Sequence, residues 1–251
     1  MSIYAFSDLH GRYDLWRKIF DHIRPGDHLV SLGDNIDRGP DGIKIWKEIR
    51  DGGYFAIKGN HELMAENAIP ILMTNHTNEA TRLWYMNGGE ETWKSMKTMS
   101  GPELIDWVFY FKNLEQTFFY ENAYGETVIL DHAGFTLGRD LAATPYWDRN
   151  HFYDDWPEGF VHPDEVNVYE AERTFLIHGH TPVQFMYTKY GINNRNKSDN
   201  WNCGEDAFDS FKPNVCRYCD GHKIDIDLGS VASDRAALIN LENFEVTYIE
   251  A

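Results

Sequence analysis

Five apolar segments of this chain each run into an aspartate, asparagine or histidine, and that repetition constrains the fold more than any other feature. Ser2 to Ser7 (SIYAFS) leads into Asp8 and His10, in SDLHG. Leu29 to Leu32 (LVSL) leads into Asp34, Asp37 and Arg38, in GDNIDRG. Tyr54 to Ile57 (YFAI) precedes Asn60, His61 and Glu62, in GNHE. Thr127 to Leu130 (TVIL) precedes His132, in DHAG, and Thr174 to Ile177 (TFLI) precedes His178 and His180, in HGHT. Each segment is short and rich in β-formers, as strands are. Between the first three, Leu15, Trp16, Ile19, Phe20 and Ile23, then Ile43, Trp46 and Ile49, recur at helical spacing. Strand alternating with helix predicts parallel pairing through right-handed crossovers. Ligands of open α/β sheets bind beyond the carboxyl ends of strands, so the five motifs are expected to meet in one crevice.

Taken singly, each motif has an ordinary explanation. GDNIDRGP could be a turn, and GNHE could open a helix, with Asn60 as its cap and Glu62 in the first turn. Five in order, each at a strand end, are better explained by a shared ligand. Carboxylate, imidazole and amide oxygen together suit divalent ions such as Mn, Fe or Zn. Asp8 and His10, two residues apart on an extended backbone, can face one side. Aspartates crowded into one crevice repel one another unless cations relieve them.

The rest of the chain fills out a single domain over residues 1–251. A mostly helical insertion is expected over about 64–112, broken at Asn87-Gly88-Gly89. Strands are expected at Lys223 to Asp227 and Phe244 to Ile249. The polar stretch Tyr190 to Cys219 reads as an irregular insertion. A net charge of −17, from 40 acidic and 23 basic residues, disfavours bulk nucleic acid and anionic membrane as partners. No segment approaches the ~20 apolar residues of a membrane helix, and MSIYAFSDLHG lacks a secretory pattern. Three cysteines, an odd number, argue against a disulfide framework, and the cytoplasm is the expected compartment. Cys203, Cys216, Cys219 and His222 have the composition of a structural Cys3His zinc staple, although one CxxC is common by chance and His222 could merely begin a strand.

The set SDLHG, GDNIDRG, GNHE, HAG and GHT resembles the calcineurin-like metallophosphoesterases, in particular the bacterial and phage members of the phosphoprotein phosphatase branch. Asn87 to Thr92 (NGGEET), Tyr146 to Arg149 (YWDR) and Ile226 to Val231 (IDLGSV) resemble the same members. The resemblance implies an α/β sandwich of two mixed β-sheets flanked by helices. It implies one metal held by Asp8, His10 and Asp34, and a second by Asp34, Asn60, His132 and His180, with manganese the expected ion and iron or zinc alternatives. Arg38, Arg149 and Asn60 would hold the substrate phosphate. His61, oriented by Asp37, would protonate the leaving oxygen after a metal-bridging hydroxide attacks phosphorus. The chain departs from the family at Leu228, where threonine is usual. His178 is not a usual ligand position, and is either support for the ligands or a surface histidine.

The implied substrate is a phosphoprotein, carrying phosphoserine, phosphothreonine or phosphotyrosine, or else a phosphorylated small molecule. Symmetrical dinucleoside tetraphosphate hydrolysis is the alternative, because such hydrolases share these motifs. A non-catalytic metal-binding scaffold is the reading from another class. It should have lost a ligand or the general acid, and none of these residues is missing.

Overall fold

Parallel strands do form where the N-terminal alternation of strand and helix requires them. In the computed structural model, which describes residues 2–134, 146–153, 159–161, 168–189, 209 and 211–251, β1 (Ile3–Phe6), β2 (His28–Ser31) and β3 (Phe55–Ala56) pair in parallel. Two antiparallel strands, β11 (Arg235–Asn240) and β12 (Val246–Glu250), extend the sheet to the order β12-β11-β1-β2-β3. The second sheet repeats the plan. Parallel β5 (Thr127–Asp131), β8 (Thr174–His178) and β10 (Lys223–Asp225) are flanked by antiparallel β4 (Thr117–Glu121) and β9 (Cys216–Tyr218), in the order β4-β5-β8-β10-β9. A separate antiparallel pair joins β6 (Gly159–Val161) and β7 (Val168–Glu170). The architecture is thus two mixed sheets with helices around them.

Strand periodicity sorts the core into layers. Phe6, Leu29, Ala236 and Leu238 join one apolar cluster, whereas their neighbours Ala5, Val30, Ala237 and Ile239 join another with Val128, Leu130, Ile177 and Ile224 of the second sheet. Side chains alternate across a strand, so adjacent residues serve opposite faces. The first cluster is completed by α1 (Tyr13–His22), α2 (Gly42–Asp51), α3 (Asn60–Leu72) and α6 (Gly101–Lys112). Helix α1 has no side-chain cap at Arg12. A cap contributes about 1 kcal/mol, whereas burying Leu15, Trp16 and Ile19, all 0 % exposed, contributes roughly 1.5–3 kcal/mol each. Burial therefore holds this helix in place.

The helical stretch expected over 64–112 is α3 to α6, with α4 (Glu79–Met86) and α5 (Gly89–Met96) between. Strands β4, β9 and β11 lie outside the sequence reading. β11, RAALIN, carries two alanines with little β preference, and tertiary pairing with β1 and β12 overrides it. None of the described helices is long and apolar enough to cross a membrane.

Candidate functional site

The motifs converge because the loops after β1 and β2 are zipped together. Asp8 N–H donates to Gly33 O at 3.2 Å, His10 N–H to Asp34 O at 3.0 Å and Gly11 N–H to Asn35 O at 2.8 Å. The loop into α3 closes on them: a Cβ on Gly33 would lie 2.4 Å from Gly59 N, so only glycine permits the approach. On the second sheet, Gly179 N–H donates to His132 O at 2.9 Å. Among the described residues, eleven non-glycine residues have positive φ, and six of them are Asp8, His10, Asp34, Asp37, Arg38 and His180. Such backbone costs of order 1–3 kcal/mol per residue and persists where neighbours over-determine it. Here the loop ladder supplies that constraint and aims the side chains inward.

Two groups of donor atoms result, sharing Asp34. His132 Nε2 lies 3.4 Å from Asp34 Oδ2 and 3.0 Å from Asn60 Oδ1, and His180 Nδ1 lies 2.8 Å from Asn60 Oδ1. On the other side, His10 Nε2 lies 3.9 Å from both Asp8 Oδ1 and Asp34 Oδ2. His10 Nδ1 faces Ile36 O at 2.9 Å and His132 Nδ1 faces Leu32 O at 2.7 Å. Those carbonyls fix the proton on Nδ1 and leave Nε2 as a lone pair directed at the carboxylates. All six side chains are buried.

This donor set fits divalent ions. With Asn60 Oδ1 inward, it converges with His132 Nε2, His180 Nδ1 and Asp34 Oδ2, an assembly of acceptors that only a cation reconciles. Turned the other way, the Asn60 amide donates to the same atoms at 2.8–3.1 Å and its oxygen accepts from Trp147 Nε1 at 3.1 Å. The carbonyl-inward choice suits a metal-loaded site, the amide-inward choice a metal-free one. Asp8 Oδ1 is buried without a hydrogen-bond partner, a state that costs about 1–3 kcal/mol unless a cation faces it. Without a metal, a proton substitutes. Burial opposes charge on His132, but Asp34, Asp8 and Glu62 outweigh it and push its pKa up to about 10. Burial opposes ionisation of Asp34 too, and the surrounding histidines reverse it, holding its carboxyl well below the usual range. His10 and His180 are lowered, mainly by burial, and stay neutral as ligands must.

His61 is close enough to group by distance with His10 and Asp34, yet its contacts suit another role. Its Nδ1 lies 2.7 Å from Asp37 Oδ2, and its Nε2 lies 3.2 Å from Arg38 Nη2. Burial and the Arg38 charge work against imidazolium, but Asp34 and Asp37 prevail and its pKa is raised. Asp37 is held in turn by Trp84 Nε1 at 2.8 Å and Thr92 Oγ1 at 2.6 Å. Beside them opens a cavity of about 280 Å³ whose wall includes Arg38, Asn60, His61, Trp147, Arg149 and His180. Arg149 Nε donates to Thr181 Oγ1 at 2.9 Å. Both arginines proposed from sequence therefore face the same space.

The supporting roles of several residues were not read from the sequence. Glu62 accepts from Asp34 N–H at 2.8 Å, Gly59 N–H and Asn35 N–H at 3.1 Å, and Trp46 Nε1 at 2.9 Å, tying β2 to α3. Burial and Asp34 push its pKa up to about 7. The cap of α3 is Gly59, with Asn60 its first helical residue. Asp225, at the end of β10, and Asp227, two residues beyond, are buried and raised well above the carboxylate range, mainly by burial, with Asp227 adding to the effect on Asp225 and Asp8 to that on Asp227. Their sequence signals were the alternation of acids with apolar residues in IDIDLG and, for Asp227, its place in IDLGSV.

Two expectations need correction, and one departure from the family gains an explanation. His178 is no surface histidine: it is 0 % exposed, and its Nε2 lies 2.6 Å from Tyr218 Oη. Leu228 is a core residue between the sheets, so an apolar side chain belongs there. Cys216 is disulfide-bonded while Cys219 is a thiol. A sulfur in a disulfide is no thiolate ligand, so Cys216 does not join a Cys3His zinc site in this state. His222 Nδ1 faces Thr174 O at 2.9 Å and its ring stacks on Phe175. Cys203 lies outside the described residues. The disulfide also removes the cysteine argument for a reducing compartment.

Comparison with known proteins agrees with this geometry. The chain is 35% identical over 91 residues to serine/threonine-protein phosphatase 1 of Salmonella typhimurium, covering 35% of this chain and 39% of that protein. It is 38% identical over 69 residues to a symmetrical bis(5'-nucleosyl)-tetraphosphatase of Nitrosospira multiformis, covering 25% of each. These matched stretches thus span less than half of either relative. A protein serine/threonine phosphatase structure from Saccharomyces cerevisiae superposes with a TM-score of 0.55 at 12% identity, covering 100% of this chain and 80% of that one, a likeness of fold alone. Residues 1–226 match the family of calcineurin-like phosphoesterases, and the chain belongs to that family.

Proposed function

We propose that this protein is a metal-dependent phosphomonoesterase acting on phosphoserine or phosphothreonine, and on phosphotyrosine in the same class, in protein substrates. The observation that carries the reading is the juxtaposition, in one buried crevice, of two donor groups sharing Asp34 with the His61–Asp37 pair and two arginines. Asp8, His10 and Asp34 would hold one ion, and Asp34, Asn60, His132 and His180 the other; manganese is the proposed ion, with iron or zinc as alternatives for this mixed set of three oxygen ligands and three imidazoles. Bound ions would supply a water of lowered pKa and polarise the phosphoryl oxygens.

The chain's own groups do the rest. Arg38 and Arg149, both in the cavity wall, would present guanidinium forks to the phosphate oxygens. Asn60 and His61 open α3, whose N-terminal N–H groups and dipole favour an anion there. His61, bonded through Nδ1 to Asp37, carries its second proton on Nε2 towards the cavity and donates it to the leaving oxygen.

A neighbouring cavity supports a protein substrate. About 340 Å³ in volume, it shares Trp147 with the first and is bounded by Met64, Ile71, Ala80, Leu83 and two asparagines, with no lysine or arginine among the described residues of its wall. It suits an apolar side chain beside the phosphorylated residue better than a further run of phosphates. The test compares a phosphoserine peptide with diadenosine tetraphosphate, using stripped protein reloaded with Mn. Faster peptide hydrolysis, abolished by chelator, supports the reading; preference for the dinucleotide overturns it.

A further inference from the structure

Two residues beyond Arg149, His151 is 0 % exposed, within the short 3-10 turn Asn150–Tyr153. Four separate strands or strand ends reach it. Lys223 of β10 donates from Nζ to the His151 carbonyl at 2.7 Å. The hydroxyl of Tyr218, on β9, lies 3.2 Å from His151 Nδ1 and 2.6 Å from Nε2 of His178, on β8. The His151 and His178 rings meet edge to face, their centroids 4.9 Å apart. Past the end of β5, a Cβ on Gly134 would lie 2.6 Å from the His151 ring, so glycine makes room for it. Lysine is almost never this deeply buried (1 % exposed) without a specific partner. None of these groups faces the phosphate cavity, and the proposed chemistry uses none of them.

We infer that Lys223, Tyr218 and His151 form a positioning device for Arg149. Two residues of chain span at most about 7 Å, so a carbonyl fixed at His151 restricts where the Arg149 backbone can lie. Hydrogen bonds carry direction that apolar packing lacks. A guanidinium must meet phosphate oxygens within a fraction of an ångström, and misplacement by about 1 Å can cost on the order of 10²-fold in rate. The device couples the second sheet to the turn that carries Trp147 and Arg149, which explains a buried lysine where an apolar residue would pack more simply. The inference rests on Arg149 as a phosphate-binding residue.

The test is a double-mutant cycle in the Mn-reloaded enzyme with a small phosphomonoester, reading KM, kcat and folded fraction. Lys223→Met should raise KM about five-fold or more and leave kcat within about two-fold, and Lys223→Arg should restore part of the loss. Tyr218→Phe, which keeps the ring and removes only the oxygen, should act in the same direction if Lys223→Met does not fold. In an Arg149→Ala background neither substitution should change KM further. Equal KM effects with and without Arg149 overturn the device and leave the arginine's role standing. If Arg149→Ala itself leaves KM unchanged, the phosphate-binding reading falls, and the inference with it.

Discussion

His61 Nδ1 sits 2.7 Å from Asp37 Oδ2, and Asp37 is itself gripped by Trp84 of α4 and Thr92 of α5. The orientation of a ring beside the proposed metal ligands is therefore set by two helices that bring none of those ligands. The indole and hydroxyl hold Asp37 in place, and Asp37 in turn holds the ring.

Replacing His61 with alanine should leave metal content unchanged and lower kcat by about 10²–10⁴-fold on a phosphoserine peptide. An aryl phosphate with a good leaving group should lose much less. Rates measured on both, with metal analysis of the same preparations, decide the point; equal losses would remove His61 as the acid.

The pH dependence follows from the same pair. Because the His61 pKa is raised, its protonated form persists further into the neutral range than an ordinary histidine's, and activity should fall as pH rises through that pKa. Asp37→Asn removes a negative charge that raises it, so the alkaline limb of the kcat profile should shift to lower pH. An unmoved limb would show that another group titrates there.

Asp34→Asn should reduce occupancy at both metal positions together, because Asp34 belongs to both donor groups. Its Oδ1 also accepts the His61 N–H at 2.9 Å, a bond the asparagine amide oxygen can keep, so the start of α3 should stay in place. Elemental analysis after reloading reads this directly. Two full equivalents of metal would remove Asp34 as the bridge.

Asp131 gives a stability prediction. Burial pushes its pKa up to about 6, against an ordinary 3.8. Between those values the folded chain keeps a proton that the unfolded chain releases. Its stabilising effect is full below the lower value and is lost as pH rises through the higher, leaving a buried carboxylate that costs stability at pH 7. Asp131→Asn can keep the bonds to Gly134 N–H and Thr117 Oγ1, and should be more stable by about 1–3 kcal/mol at pH 7. Thermal unfolding of metal-free protein from pH 4 to 7 should show the gap narrowing on acidification. Parallel curves would contradict it.

Much of this was legible from residue order. The alternation of strand and helix, the polar residue types after each strand, and the glycines beside them are local patterns that marked the strand-end residues, while the family resemblance singled out the six proposed ligands, His61 and both arginines. Boundaries were less legible: Tyr54 and Ile57 fall outside β3, although β2 runs back to His28 and Ile57 bridges to Glu115. The environment of His178 was hidden for a different reason. Tyr218, forty residues away, buries it.

The sequence by itself determined which chemical groups stand at the strand ends, because strand propensity and turn formation act over a few residues. Only the tertiary structure decided that Asp34 is shared between two donor groups, that Trp84 and Thr92 clamp Asp37, and that Lys223 reaches the carbonyl of His151. Those contacts join positions 24 to 98 residues apart. They arise when two sheets close on a common core, and no local pattern encodes their distances.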